Sequence, residues 1–420
     1  MDQIVVNGGR SLIGEVEISG SKNASLPILA AAILADDQSQ IENVPNLRDV
    51  HTIGEVLRIL GAGVSFKPGN KVEIDPSTLQ GYEAPYELVK TMRASIYVLG
   101  ALLAKRGRAK VSMPGGCAIG FRPVDLHLKG LKKLGAKFSL EHGYIYGEAR
   151  KLVGAEIYLN VPSLGATVNI LLAAVLAEGE TRLKNAACDP EIIDLVNFLK
   201  KMGARISGEG TDQINVEGVK SLKGVNYRVI PDRIEAGSYL AAAIMTGGKV
   251  KIKNCRPEHL TAVIDKIKEM GALIDSKPDC IQVHKSRKLS PAEIITHPYP
   301  GFPTDMQAQA VALLAVTPGT SMVTETVWPS RFMHVEELER MGARIHQKGS
   351  SIVIEGVKRL SGAQVMATDL RASVALIIAG LAAEGETVIS RIYHLDRGYE
   401  NLVGKLEKLG ARIERIANRR

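Results

Sequence analysis

The sequence predicts an α/β protein of six copies of one unit, grouped as two domains of three, with apolar helices inside and sheets around them. Three observations predict it. Leu/Met-Gly-Ala recurs at Leu60, Leu134, Met202, Met270, Met341 and Leu409, and the glycines step by 74, 68, 68, 71 and 68 residues. Spacing this regular marks a repeated supersecondary unit. Each copy also carries a helix with no polar face, which has to be buried on all sides. Finally, the last copy lacks a strand pair that the first residues of the chain can supply.

Within a unit the order is strand, buried helix, strand, covering helix and two more strands. The buried helices are read at Ala24–Ala35, Ala94–Ala104, Ala166–Ala177 and Ala372–Ala383, which are apolar nearly all round. The covering helices, such as Asp194–Met202 and Val335–Met341, have charged outer faces. The glycine after each suits a left-handed helix C-cap, where a side chain would be penalised. Two short strands follow, as in Ile214–Gly218 through Leu222-Lys223-Gly224 and Ile352–Gly356 through Leu360-Ser361-Gly362. The sixth unit stops near Ile416 without this piece, and Ile4–Gly8 through Leu12-Ile13-Gly14 matches it in spacing. The expected domains are 22–229 and, closed by the N-terminal strands, 1–21 together with 230–420.

Composition narrows the classes. At 420 residues and 45% hydrophobic the chain is globular, and with only 4% aromatics its cores must be built from Ala, Leu, Ile and Val. The net charge of +8 fits either a solvated basic surface or a cleft for an acidic ligand. No basic run interleaved with aromatics points to nucleic acid. The four cysteines, 117, 188, 255 and 280, form no C-x-x-C pair, which fits a reducing compartment rather than zinc or disulfides. Met1-Asp2-Gln3 opens no signal-peptide pattern, and no apolar stretch reaches membrane length, so a cytoplasmic protein is expected. The histidines show no metal spacing, and neither a P-loop nor a G-x-G-x-x-G fingerprint is present, so no metal or cofactor is expected.

The buried helices begin at equivalent places: Ser21-Lys22-Asn23, Thr91-Met92-Arg93, Ser163-Leu164-Gly165, Arg233-Ile234-Glu235, Thr304-Asp305-Met306 and Asp369-Leu370-Arg371. Ser, Thr and Asp suit N-caps. Several helix starts brought together also make an anion site, because free N–H groups and dipole ends point the same way. Lys22, Arg93 and Arg371 would add full charges. Asp305 breaks the pattern. It is either a plain N-cap or a carboxylate held ionised among cations as a general base.

Cys117 lies in the glycine-rich loop Pro114–Pro123, five residues before Arg122. Nearby cations favour the thiolate, so this cysteine is read as reactive, as acid, nucleophile or both. Cys188, Cys255 and Cys280 are read as buried structural residues.

At these residues the chain resembles the UDP-N-acetylglucosamine enolpyruvyl transferase family, essentially end to end. The resemblance rests on SGSKNA (19–24), KTMRAS (90–95), PGGCAIGFRPVDLH (114–127), FPTDMQAQ (302–309), ETV (325–327), RFMHV (331–335), QVMATDLRAS (364–373) and DRGYENL (396–402). It implies an inside-out α/β barrel of two domains, each of three βαβαββ units. It also implies transfer of the enolpyruvyl group of phosphoenolpyruvate to the 3-hydroxyl of UDP-N-acetylglucosamine in bacterial peptidoglycan synthesis, with neither cofactor nor obligate protein partner. Carried over by motif, Lys22, Asn23, Arg93, Arg122, Arg371 and Arg397 hold phosphoenolpyruvate. Arg93, Arg122, Pro123, Val124, Asp125, Leu126, Ser163, Gly165, Asp305 and Val327 hold the UDP-sugar. Cys117 protonates the methylene carbon and can form a covalent adduct, Asp305 takes the hydroxyl proton, and Lys22 and Arg397 complete the catalytic set. Some family members place a lysine near the nucleotide; none stands in Leu159–Gly165. The rivals are a shikimate 3-phosphate enolpyruvyl transferase, against which the Cys117 loop and RPVDLH argue, and a non-catalytic UDP-sugar-binding paralogue. Intact Lys22, Cys117, Asp305 and Arg397 argue against the second.

Overall fold

The computed structural model describes residues 2–90, 92–113, 124–285 and 288–417. The loop positions Cys117, Arg122 and Pro123 lie outside the described residues, as does the side chain of Arg93. The chain divides into two compact units, one within residues 20–230 and the other from residues 2–19 with 231–417.

Among the described residues there are six four-stranded sheets of one pattern. In the third, Glu156–Tyr158 runs parallel to Glu180–Lys184, which pairs antiparallel with Gln213–Glu217, which pairs antiparallel with Arg205–Ser207. Alternation sets the register: Ile157, Leu183, Ile214, Val216 and Ile206 point inward and are buried, while the charged residues between them face out.

Each sheet wraps an apolar helix. In the 20–230 unit these are Lys22–Ala32, Val98–Arg106 and Leu164–Ala174. In the other unit they are Arg233–Met245, Gln307–Ala315 and Leu370–Ala382. Every residue from Ala166 to Ala174 and from Arg371 to Leu381 is buried, the burial an all-apolar helix requires. In both units the middle helix starts as a 3-10 turn, at Arg93–Tyr97 and Thr304–Met306, without a side-chain cap. The glycines after the second helix of each repeat, Gly61, Gly135, Gly203, Gly271, Gly342 and Gly410, all sit at φ between +90° and +109°. That is the left-handed turn for which glycine was read.

Three expectations need correction. Gln3–Asn7 lies between Glu386–Ser390 and Arg412–Ile416, antiparallel to both, but Ile13–Glu17 does not stay with it. That strand joins the sheet of the fourth repeat, parallel to Lys249–Lys253. Its counterpart Asn226–Arg228 likewise joins Ser39–Glu42 of the first repeat, and Leu222-Lys223-Gly224 is not a strand. The second concerns Pro190–Met202, which covers the exterior with Asn197 and Lys201 exposed but also turns charge inward. It packs on the Lys22–Ala32 helix and buries Glu191 and Asp194. Asp194 faces inward because it accepts from the Tyr227 hydroxyl at 2.6 Å and the Ile230 N–H at 3.2 Å. Of the cysteines read as buried, Cys255 and Cys280 are, whereas Cys188 is only half-buried. No described helix is long and apolar enough to cross a membrane.

Candidate active site

In the 20–230 unit the helix starts carry neutral caps. Ser21 and Ser163 each accept a backbone N–H three residues on, from Ala24 and Ala166 at 3.3 Å. Lys22 opens the first helix, and its ammonium lies 3.6 Å from Asp49, whose side chain is only 4% exposed. Asn23 follows, half-buried.

At the third entrance, the lack of a side chain at Gly165 has a steric reason. A Cβ there would lie 2.9 Å from Cε1 of His127, the ring that packs on this turn from helix Asp125–Lys133. His127 is held in turn by Asn169 Nδ2 at 2.8 Å from its Nδ1. Asn169 also donates to Ile96 O and accepts from Gly100 N, so its amide orientation is fixed by two backbone groups of opposite kind. Val124 is buried, Leu126 half-buried and Asp125 exposed at the start of the same helix. Lys129, one turn further, donates to Asn160 Oδ1 at 3.0 Å. A lysine thus reaches the 159–165 segment from another element, which the sequence alone did not reveal.

The helix starts of the 231–417 unit are built on carboxylates. Asp232 caps the first by accepting from Ile234 N and Glu235 N, and Asp369 caps the third by accepting from Arg371 N and Ala372 N. Asp305 does not cap its helix. Its oxygens are held by Arg331 Nη1 and Arg371 Nη2, each at 2.8 Å, so the plain N-cap reading of this residue is set aside. Both guanidinium groups are buried, with side chains 5% and 3% exposed. Burial would push the Asp305 carboxyl up, but the charges of Arg371 and Arg331 outweigh it and hold it well below the usual range.

Arg371 continues to the Tyr399 hydroxyl at 3.2 Å, and Tyr399 to Ser238 Oγ at 2.8 Å. Gln309 donates to Ser238 Oγ and to the Asp305 carbonyl, at 3.1 and 3.0 Å. The N-terminal ends of all three inner helices of this unit, within their first two turns, are therefore joined by one polar network. His334, beside Arg331 and Asp369, is pushed down to about 4 by burial and so is neutral at physiological pH. Arg397 ends the 3-10 turn Ile392–Arg397, half-buried, and Val327 is half-buried after strand Thr320–Thr324.

Lys22, Asn23, Ser163 and Gly165 thus belong to one unit, and Asp305, Val327, Arg371 and Arg397 to the other. Arg331 was missed as a site residue. It lies in RFMHV, but only folding brings it onto Asp305, 26 positions earlier. Among the described residues no group of three His, Cys, Asp or Glu could hold a metal ion. The arrangement offers a carboxylate fixed between two guanidinium groups, an acceptor for a proton with cations for neighbouring negative charge.

Comparison with known proteins places the chain. The EPSP synthase (3-phosphoshikimate 1-carboxyvinyltransferase) family model matches residues 6–406. The UDP-N-acetylglucosamine 1-carboxyvinyltransferase of Geotalea uraniireducens is 54% identical over 416 residues, covering 99% of this chain and all of the relative. UDP-N-acetylglucosamine 1-carboxyvinyltransferase 2 of Carboxydothermus hydrogenoformans is 54% identical over 420 residues, the full length of both. Among solved structures, the enolpyruvyl transferase NikO from Streptomyces tendae superposes with a TM-score of 0.89 at 28% identity, over 99% of this chain and 98% of its own. EPSP synthase from Acinetobacter baumannii shares the fold, with a TM-score of 0.76 at 20% identity over 99% of this chain and all of its own. The chain belongs to the EPSP synthase family of enolpyruvyl transferases, in the branch of the UDP-N-acetylglucosamine 1-carboxyvinyltransferases.

Proposed function

We propose that this chain transfers the enolpyruvyl group of phosphoenolpyruvate to the 3-hydroxyl of UDP-N-acetylglucosamine and releases phosphate, the first committed step of peptidoglycan synthesis. The observation that carries it is 54% identity along the whole chain to relatives of that name. The setting is the bacterial cytoplasm, and the scheme uses neither cofactor nor metal.

In the addition step, Cys117 delivers a proton to the methylene carbon of phosphoenolpyruvate, and the sugar oxygen bonds to the adjacent carbon while Asp305 takes the hydroxyl proton. The product is a tetrahedral phospho-lactyl ketal. In the elimination step the Cys117 thiolate left by the addition takes a proton back from the new methyl group, the carbon–oxygen bond to phosphate breaks with phosphate as leaving group, and the carbon–carbon double bond forms again, now as an enol ether on the sugar. Lys22, Asn23, Arg93, Arg122, Arg371 and Arg397 offset the charges of phosphoenolpyruvate. The turn at Ser163–Gly165, with residues 122–126, takes the nucleotide, and Val327 the sugar.

The electrostatics of Asp305 sharpen its role. Paired to two guanidinium groups, it is ionised and ready but a weak base. When Arg371 turns to the incoming anion, Asp305 loses one of its two partners, and its basicity rises only once substrate is bound.

Incubation with both substrates tests the reading. Phosphate is released in step with a sugar nucleotide heavier by one enolpyruvyl group, and fosfomycin, an epoxide phosphonate, adds its mass to the peptide carrying Cys117. Phosphate release with shikimate 3-phosphate and none with the UDP-sugar would replace the acceptor.

A further inference from the structure

Glu325 opens the ETV motif, has no role in the scheme above, and is 0% exposed. Four donors converge on it. Oε1 accepts from Thr296 Oγ1 at 2.7 Å, Val327 N at 2.8 Å and Trp328 N at 2.9 Å, and Oε2 accepts from Thr304 Oγ1 at 2.8 Å. A carboxylate is acceptor-only and can take all four.

The direction of these bonds matters. The one hydrogen of the Thr304 hydroxyl goes to Glu325, so the hydroxyl oxygen turns its lone pairs elsewhere. One receives Arg331 Nη1 at 3.0 Å. The same nitrogen lies 2.8 Å from Asp305 Oδ1. An arginine Nη1 carries two hydrogens, and here both are committed, one to Thr304 and one to Asp305. Glu325 therefore sets the Thr304 hydroxyl, the hydroxyl sets the roll of the Arg331 guanidinium, and Arg331 sets the carboxylate plane of Asp305. The same Glu325 carboxylate pins the backbone turn that carries Val327.

We propose that Glu325 is a positioning residue: through Thr304 and Arg331 it aims the Asp305 carboxylate, and through the backbone of residues 327 and 328 it shapes the sugar-facing turn. This rests on the reading of Asp305 as the base and Val327 as a sugar contact. The relay acts first on the acceptor substrate, because none of its members is assigned to phosphoenolpyruvate and its one link to that side is Arg371 on the other Asp305 oxygen.

Glu325→Gln keeps the shape, and because the 327 and 328 N–H groups can only donate, they hold its carbonyl at the Oε1 position, so its N–H₂ faces Thr304 and reverses that one hydrogen bond of the relay. A charge-assisted hydrogen bond of this kind corresponds to roughly tenfold to a hundredfold in kcat/KM. The loss is expected for UDP-N-acetylglucosamine, with the KM for phosphoenolpyruvate within about twofold of the parent. Thr304→Val, which removes the hydroxyl at nearly constant volume, gives the same loss, and Thr304→Ser restores most of it. The Glu325→Gln/Thr304→Val double variant is no worse than either alone, since both cut one relay. Should Glu325→Gln fail to fold, the valine and serine pair at Thr304 still decides. Thr304→Val with parental kinetics, or additive losses in the double variant, would overturn the proposal while Asp305→Asn remains inactive. Parental activity in Asp305→Asn would instead overturn the base assignment.

Discussion

The two units repeat one architecture and treat their helix starts in opposite ways. In the 20–230 unit the described side-chain caps are Ser21 and Ser163, and in the 231–417 unit they are Asp232 and Asp369. A serine satisfies the free N–H without adding charge, so the positive helix end stays available to an anion. An aspartate satisfies it and also offsets the dipole. One unit is thus left electropositive at its entrances. The other offsets its own and keeps two buried arginines paired with Asp305. A shared fold therefore carries two different electrostatic roles. In the scheme proposed above, the first lends Lys22 and Asn23 to phosphoenolpyruvate, and the second lends Arg371 and Arg397 together with the base Asp305.

The strongest way to break this contrast is at Asp305. Replacement by alanine would leave Arg331 and Arg371 buried without a counter-charge, a cost of about 3–5 kcal/mol that would confuse folding with chemistry. Asp305→Asn keeps the volume and an oxygen for one guanidinium. Its kcat is expected to fall by about 10²–10⁴, the usual worth of a general base, with a cooperative melt retained. Parental turnover in this variant would mean that the network is structural only.

A smaller effect is expected from making one unit imitate the other. Ser163→Asp gives the third helix the cap of the opposite unit. Helix stability should hold or rise by a few tenths of a kcal/mol. The KM for UDP-N-acetylglucosamine should rise about tenfold, since a carboxylate then meets the diphosphate at close range. Steady-state kinetics beside a thermal melt separates the two. A rise in stability with an unchanged KM would remove this entrance from nucleotide binding.

Much of this contrast can be read along the chain. The Leu/Met-Gly-Ala glycines announce the six left-handed helix ends because no other residue takes φ near +100° without strain. The apolar helices announce the interior because they have no polar face to turn outward. Asp305 and Arg371, which stand at equivalent helix starts of the repeat, prove to be ion-paired. What escaped detection depends on non-local partners. Nothing within Ile13–Glu17 specifies that its parallel neighbour is Lys249–Lys253 rather than a strand of the sixth sheet. Asp194 looks like a surface charge until Tyr227 and Ile230 N are brought to it. Arg331 is separated from Asp305 by 26 residues and Glu325 from Thr304 by 21, and their pairing exists only once strand Thr320–Thr324 lies beside Glu293–Ile295.

The contrast also extends to pH, where the expected effect is on stability and not on turnover. Glu235, in the first turn of the Arg233–Met245 helix, is buried, accepts from Ser19 N at 2.9 Å and is paired with Lys405 at 2.6 Å. Burial outweighs the lysine and pushes its carboxyl up from 4.5 to about 7. A carboxyl with a raised folded-state value holds its proton more tightly in the folded chain than in the unfolded one. Below about 4.5 both forms are protonated and its contribution is complete; as pH climbs through about 7 the folded form must ionise against burial, and that contribution is lost. The melting temperature should therefore drift down by a few degrees across this window from Glu235 alone, against the opposite trend of ordinary salt-bridged carboxylates. Asp305 behaves in the ordinary way: its depressed value contributes stability above the usual carboxylate range that is lost only in strong acid. Glu235→Gln should flatten the drift between pH 4.5 and 7 and leave the acid limb in place. An unaltered slope in that variant would show that Lys405 keeps Glu235 ionised throughout, making this helix start as permanently charged as its neighbour at Asp305.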